Sequence, residues 1–245
     1  MKKVIVSLIL FILIIASCTN VFAARFESLG MKIDLPEEYY NLKAGVDTGD
    51  AKMEFYTAMM KTSKETLSAE YKQNGVLYNG INSNLSNEIY ITESENKTTK
   101  SIFHLSTASE KQLESIKEEI KSAEIALGRK ITTQEIYTVG EINYLYTVST
   151  KSGETYYQYY TIVNGTAITI LLNSSDSSEK GEIVKKMIDS ISFDEIQEKP
   201  AEFMLYVLIA ITAALVIMVL VLMYMAFFSK RGEEEMYEQS DDSEE

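Results

Sequence analysis

Cysteine is almost missing from this chain: of 245 residues only Cys18 carries a thiol, so no disulfide can form within it and no thiolate cluster can hold zinc. Histidine is as scarce. His104 stands alone in the apolar context Ile102-Phe103-His104-Leu105, where a structural or an exposed residue is the simplest reading. A single histidine rules out a multi-histidine metal site and leaves neither a Cys–His nor a Ser–His–Asp set to assemble. There is no tryptophan, which argues against an aromatic platform for a glycan. Positive charge is in short supply too: 23 basic against 36 acidic residues give a net −13. A chain this acidic repels nucleic acid and anionic surfaces. Neither a phosphate-binding Walker loop nor a dinucleotide glycine fingerprint occurs.

What the chain does have is two apolar runs, one near each end. Lys2 and Lys3 precede Val4 to Ala16, and the more polar Ser17 to Ala23 follows. The run is shorter than the roughly 20 residues needed to span a bilayer. Val21-Phe22-Ala23 has the side-chain pattern of a signal-peptidase site, so Met1 to Ala23 reads as a cleaved signal peptide. Ile15-Ala16-Ser17-Cys18 also resembles a bacterial lipobox, which makes Cys18 a candidate acylation site beside the preferred cut after Ala23. The second run, Phe203 to Phe228, contains no charge. Its length, at 1.5 Å per helical residue, is about 39 Å against a hydrocarbon core of ~30 Å. It reads as one transmembrane helix in contact with membrane lipid, with Tyr206 and Tyr224 near the two interfaces. Lys230 and Arg231 follow at once, so the positive-inside rule places the acidic tail, Ser229 to Glu245, in the cytoplasm. Ala24 to Gln197 is then an extracellular domain, and Glu198 to Glu202, with Pro200, the linker.

Within that domain, Met31-Lys32-Ile33-Asp34-Leu35 alternates like a half-buried strand and Pro36 ends it. Asn41 to Asp50 reads as a polar loop and Met53 to Tyr56 as a short strand. Thr62 with Glu65 predicts a capped helix that Gly75 stops, and Glu88 to Thr92 alternates again. Thr107 with Glu110 predicts a second capped helix, carrying Leu113, Ile116, Ile120 and Ala123 on one face and Glu114, Lys117, Glu118 and Lys121 on the other. Ile142 to Ser149, Thr155 to Val163 and Thr166 to Leu172 form a meander, joined by Lys151-Ser152-Gly153 and by Asn164-Gly165, a strong hairpin signal. A last helix, Ser178 to Ser190, puts Ile183, Val184, Met187, Ile188 and Ile191 on one stripe.

Several of these stretches resemble Mog1/PsbP-like α/β domains found in membrane-anchored proteins of low-GC Gram-positive bacteria. They are Met31 to Pro36, Asn74-Gly75-Val76-Leu77-Tyr78-Asn79-Gly80-Ile81 leading into Glu88 to Thr92, Tyr159 to Ile170, and Ile188-Asp189-Ser190-Ile191-Ser192-Phe193. The resemblance implies an α/β (α+β) fold, an antiparallel sheet flanked by helices, and a domain that binds partners rather than catalyses. It supplies no catalytic, cofactor-binding or metal-binding residue.

Tyrosines crowd two neighbouring strands. Cross-strand packing is the plain reading; the sharper one is a binding face made of Tyr144, Tyr146, Tyr157 and Tyr159, since tyrosine joins apolar area to a polar tip. Asp47 and Asp50 lack the spacing of a calcium loop. The expectation is a single-pass, membrane-anchored extracellular binding or accessory domain whose partner is an envelope protein or polymer and not nucleic acid. The alternatives are a carboxylate-dependent hydrolase of cell-wall polymer and an accessory subunit of a membrane transporter or protease.

Overall fold

The computed structural model describes residues 21–176, 178–199 and 207–223, and the chain divides into two units, Met1–Gln197 and Glu198–Glu245. In the first unit a small antiparallel sheet is built on β2, Met31–Pro36, whose Met31, Ile33 and Leu35 are buried while Lys32 is exposed. Its neighbours are β1, Val21–Phe26, on one side and β10, Ser192–Phe193, on the other.

The main sheet has seven antiparallel strands: β3 (Tyr39–Asn41), β4 (Val76–Asn82), β5 (Asn87–Ser94), β6 (Lys130–Val139), β7 (Ile142–Lys151), β8 (Glu154–Val163) and β9 (Thr166–Ser174). Their order is β3-β4-β5-β9-β8-β7-β6, so the N-terminal strands join the C-terminal meander through β5 and β9. The β7–β8 and β8–β9 turns each hold two residues at positive φ, Ser152-Gly153 and Asn164-Gly165. That is the type I′ geometry whose twist matches the flanking strands.

One face of this sheet packs under the small sheet and α6, numbering the helices α1 (Leu42–Thr48), α2 (Ala51–Met59), α3 (Lys64–Gln73), α4 (Lys97–Ile102), α5 (Glu110–Ala126) and α6 (Glu182–Asp189). Val184, Met187 and Ile188 of α6 are buried there with Ile89, Ile91, Ile168, Ile170 and Leu172. The helix starts at Gly181 in the left-handed region, and a Cβ at that position would come within 2.7 Å of the Tyr157 ring. The opposite face carries two cores. Ile102, Leu105 and Ile116 cover Leu145, Ile162 and Ala167, while α1 to α3 enclose Leu42, Met53, Tyr56, Leu67 and Tyr71 at the β4 end.

Two expectations are corrected. The stretch read as a polar loop, Asn41 to Asp50, contains α1, and the short strand read at Met53 to Tyr56 lies in α2. Both helices are started by side chains within the supposed loop: Asn41 accepts the Ala44 N–H at 3.2 Å and Asp50 the Lys52 N–H at 2.7 Å. Gly45 masked the first by lowering its helix propensity. It is needed there because a Cβ would collide with the Tyr40 hydroxyl. The caps of α3 and α5 each fall at a residue other than the expected one, Ser63 and Ser109, the latter in a reciprocal capping box with Gln112. Strand β6 has no counterpart among the expected elements.

In the second unit, 207–223 is helical and lies inside the expected span Phe203 to Phe228, whose ends fall outside the described residues. Among the described residues no helix is long and apolar enough to cross a membrane. Residues 1–20, with Cys18, and the tail 229–245 also lie outside them. The last part of the expected signal peptide, Val21 to Ala23, stands in β1, paired with Pro36, Leu35 and Asp34.

Candidate functional site

Strand alternation sends Tyr144 and Tyr146 of β7 and Tyr157 and Tyr159 of β8 to one face of the main sheet, the face that α6 and the small sheet cover. Tyr144 is 1% exposed, Tyr159 3% and Tyr157 8%, and Tyr146 is half-buried. The expected exposed binding face is therefore not formed by these four residues. Their rings pack on one another instead, with Tyr159 lying 4.6 Å from Tyr146, 5.5 Å from Tyr137 and 6.3 Å from Tyr144 between centroids. Burial pushes the Tyr146 phenol up to about 12 and raises Tyr144 and Tyr159 further. Apolar cover won because α6 brings its whole stripe onto this face.

A second polar centre sits on the other face. Glu88 and Tyr90 alternate with the buried Ile89 and Ile91, so they point towards α2 and α3. Glu88 Oε1 accepts from Tyr56 at 3.0 Å, from the Asn79 amide at 3.0 Å and from Tyr90 at 2.6 Å. Tyr71 donates to Asn79 Oδ1 at 2.6 Å. Burial, with the Glu88 charge beside it, raises the Tyr56 phenol to about 12. The carboxylate ties α2 to β4 and β5, and Asn79 adds α3 through Tyr71. Its signal in the sequence was an acidic residue at an inward-facing parity, which is only informative once the second face is known to be covered.

The open concavity lies where the ends of several elements meet. The β1–β2 turn supplies Ser28, the end of α3 Lys72 and Asn74, the end of β5 Glu93 and Glu95, and the start of β9 Thr166, around a cleft of about 690 Å³. A second cleft of about 390 Å³ shares Ser28, Glu95 and Thr166 with it, and is walled by Asn164 and by the strap Phe193 to Gln197. Glu93, Glu95 and Asp194 are the engaged carboxylates here. Ser28 donates to Glu93 at 3.0 Å, and Glu95 takes Lys100 at 2.9 Å on one oxygen and Thr166 at 3.0 Å on the other. The hydrogen bond from Lys100 and that from Thr166 hold the Glu95 carboxyl below the usual range. Asp194 is bound by Lys32 at 2.9 Å and Arg25 at 2.7 Å, which lower its carboxyl in the same way.

His104 is buried beside this cleft. Its Nε2 meets the Gln197 carbonyl at 2.6 Å and its Nδ1 meets the Asn164 N–H at 3.4 Å, so it is a structural connector rather than an exposed residue. Among the described residues no group of three His, Cys, Asp or Glu is placed to hold a metal ion, and Asp50 serves as the cap of α2.

No family model matches the chain, and no curated protein matches it. Among solved structures it is similar to the cyanobacterial PsbP protein (CyanoP) of Synechocystis sp. PCC 6803, with 12% identity and a TM-score of 0.44 over 72% of this chain and 94% of that one. It is also similar to a protein of Bacteroides thetaiotaomicron VPI-5482, with 10% identity and a TM-score of 0.39 over 71% of this chain. The chain spans 49% of that protein's length. The fold itself, antiparallel sheets flanked by helices, is α+β as the sequence implied.

Proposed function

We propose that this chain is a membrane-tethered binding or accessory module of a cell envelope, held by the Phe203 to Phe228 segment with its larger unit outside and its acidic tail inside. The observation that carries the binding reading is the state of the cleft carboxylates. A carboxylate-dependent hydrolase needs one carboxyl raised enough to act as an acid and a second left free as base or nucleophile. Glu95 and Asp194 are instead each neutralised by cations and lowered. Such a cleft offers fixed hydrogen-bond acceptors, hydroxyls and amides to a polar ligand. Support for the tether comes from 207–223, which is helical and, beyond its first residue, exposed along its whole apolar length. Exposed apolar helix of this kind is stable in lipid rather than in water. The Mog1/PsbP-like assignment rests on the sequence motifs.

A specific feature favours the accessory-subunit reading as the second: Phe55, Met59 and Met60 stand exposed on and just after α2, 59%, 48% and 56% accessible. Photo-crosslinkers placed singly at Asn74, Ser94, Phe55 and Lys117 in the membrane-bound chain separate these readings. Envelope-polymer or protein adducts from Asn74 and Ser94, and none from Lys117 on the outer face of α5, are expected. Adducts from Phe55 alone would move the function to α2, and turnover of cell-wall polymer that depends on Glu93 or Glu95 would replace binding by hydrolysis. Alkaline carbonate washing should leave the chain with the membrane; its release would remove the tether.

A further inference from the structure

The main sheet ends differently on its two sides. Its β3 edge is three residues long and runs straight into α1. Its β6 edge is ten residues long, and among the described residues β7 is its one strand neighbour. Sheets blunt an edge by keeping it short, or with proline, bulges and charge. In β6 the bulge is confined to the start, between Ile131 and Thr133. From Thr133 to Val139 there is no proline and a single charge, Glu135. Ile136 stands 39% exposed in the middle of this stretch.

Which backbone groups face outward follows from the hairpin. Val139 pairs with Ile142 around the two-residue turn Gly140-Glu141, with Gly140 at φ 57°. The pair that flanks such a turn is hydrogen-bonded, and bonded and non-bonded pairs then alternate along the ladder. Thr133, Glu135, Tyr137 and Val139 therefore spend their N–H and C=O groups on β7, while Gln134, Ile136 and Thr138 turn theirs away from it. The polar side chains of that second set are engaged elsewhere: Gln134 Nε2 donates to the Lys117 carbonyl at 3.5 Å and Thr138 Oγ1 to Asn143 Oδ1 at 2.8 Å. The outer edge of β6 is a row of donors and acceptors at strand spacing.

We propose that β6 pairs with β6 of a second copy of this chain, antiparallel and about a two-fold axis through Ile136, so that one sheet runs across both copies. Residues opposite each other in a ladder point to the same face, so a two-fold axis has to pass through a residue that meets itself. An axis at Glu135 sets two carboxylates face to face, which is destabilising. One at Gln134 runs the pairing into the bulge, and one at Tyr137 shortens it to Glu135 to Val139. At Ile136 the self-pair is apolar, Glu135 lies opposite Tyr137 of the second copy, and Thr133 to Val139 is paired throughout. Backbone bonds then form in both directions at Ile136 and wherever Gln134 meets Thr138. The contact is smaller than the roughly 800 Å² per partner of a standard interface, so it closes where copies are concentrated on one surface. In that respect alone it rests on the tether proposed above, which carbonate washing tests separately.

Disulfide trapping of the full chain in membranes tests the register. Across the axis the two Ile136 Cα atoms lie about 5.5 Å apart, within disulfide reach, and the two Thr138 Cα atoms roughly 14 Å apart, beyond it. On mild oxidation Ile136→Cys should give a covalent species of twice the chain mass. Thr138→Cys should give no more of it than the unmodified chain, whose one thiol is Cys18. Adding Gln134→Glu and Thr138→Glu to Ile136→Cys sets carboxylates opposite each other and should abolish the dimer. Gln134→Lys with Thr138→Glu in the same background should restore it, which separates lost pairing from lost folding. Equal dimer from Ile136→Cys and Thr138→Cys, or none above the unmodified chain, would overturn the proposal. So would a dimer that survives the paired carboxylates, or a product whose mass assigns the edge to another protein.

Discussion

At the scale of single residues, polar groups in the interior divide into those that are answered and those that are not. The Tyr144 hydroxyl is buried without a hydrogen-bond partner among the described residues, whereas Glu88 gathers three donors. An unmade hydrogen bond costs the desolvation of its group, so Tyr144→Phe should leave stability unchanged or raise it by up to about 1 kcal/mol in urea melts. A loss larger than that would mean the hydroxyl has a partner. Glu88→Ala, which orphans Tyr56, Tyr90 and Asn79 together, should cost about 3 kcal/mol. Glu124 is a comparable case: 4% exposed, it is bonded to Arg129 at 3.2 Å and to Ser149, with the guanidinium 3.6 Å from the Tyr156 ring centre. The tyrosines also set the alkaline limit. Desolvation raises Tyr56, Tyr78, Tyr146 and Tyr160 to about 12 from an ordinary value of 10.0. A folded pKa above the unfolded one gives stability that is complete below pH 10.0 and is lost as pH rises towards about 12. Tyrosinate absorbance should therefore rise cooperatively between those values, together with loss of circular dichroism; independent titration of Tyr56, Tyr78, Tyr146 and Tyr160 near pH 10.0 would contradict their burial.

At the scale of elements, α6 offers the sharpest contrast. Ile188 is 0% exposed under the sheet and Lys186 faces solvent two residues earlier. Ile188→Asp should cost about 5 kcal/mol, enough to unfold a domain of ordinary stability, and Lys186→Asp about 0.5 kcal/mol or less. Thermal melts of the pair decide it, and equal effects would place the wrong face inward. Strand β1 gives a second test. A chain that begins at Ala24 retains only Ala24 to Phe26 of the strand and leaves Asp34, Leu35 and Pro36 without partners on that side. It should be less stable than one beginning at Val21 by about 2 kcal/mol, the net worth of a few ladder bonds; equal stability would show that the first half of β1 contributes nothing. Legibility followed the same logic. The β7–β9 meander, α5 and α6 were readable because their periodic apolar residues and turn pairs are long enough to fix a period. Helices α1 and α2 were not: each is short, one contains Gly45, and their apolar faces are completed by α3 and β4 rather than by their own length. Strand β6, at the edge of the sheet, alternates weakly because little of it is buried. The cleft was invisible in sequence, since Ser28, Lys72, Glu95, Thr166 and Asp194 come from five separate places.

At the scale of the whole molecule, the compact unit ends at Gln197, and no cysteine is needed to close it. Expressed as Ala24 to Gln197 it should fold alone into a cooperative α+β domain, visible as one urea transition by both fluorescence and circular dichroism; two separated transitions would show that the small sheet and the main sheet are independent. In cells, protease added from outside should remove this unit and spare an epitope placed after Glu245, and digestion of that epitope would reverse the orientation argued from Lys230 and Arg231. The strand order also governs the order of events during synthesis. Strands β6 to β9 are joined by tight turns and can zip up as each hairpin is completed, but β5 must wait for β9, because Asn87 pairs with Ser174 across most of the chain's middle. Closing that long loop comes before the contacts that reward it. Until then the first ninety or so residues present an open strand edge, the geometry most prone to pairing with a wrong neighbour. A newly made chain is thus most vulnerable not when its first half is missing but while its first half waits, and the residues that end this exposure, Thr166 to Ser174, are among the last of the domain to emerge.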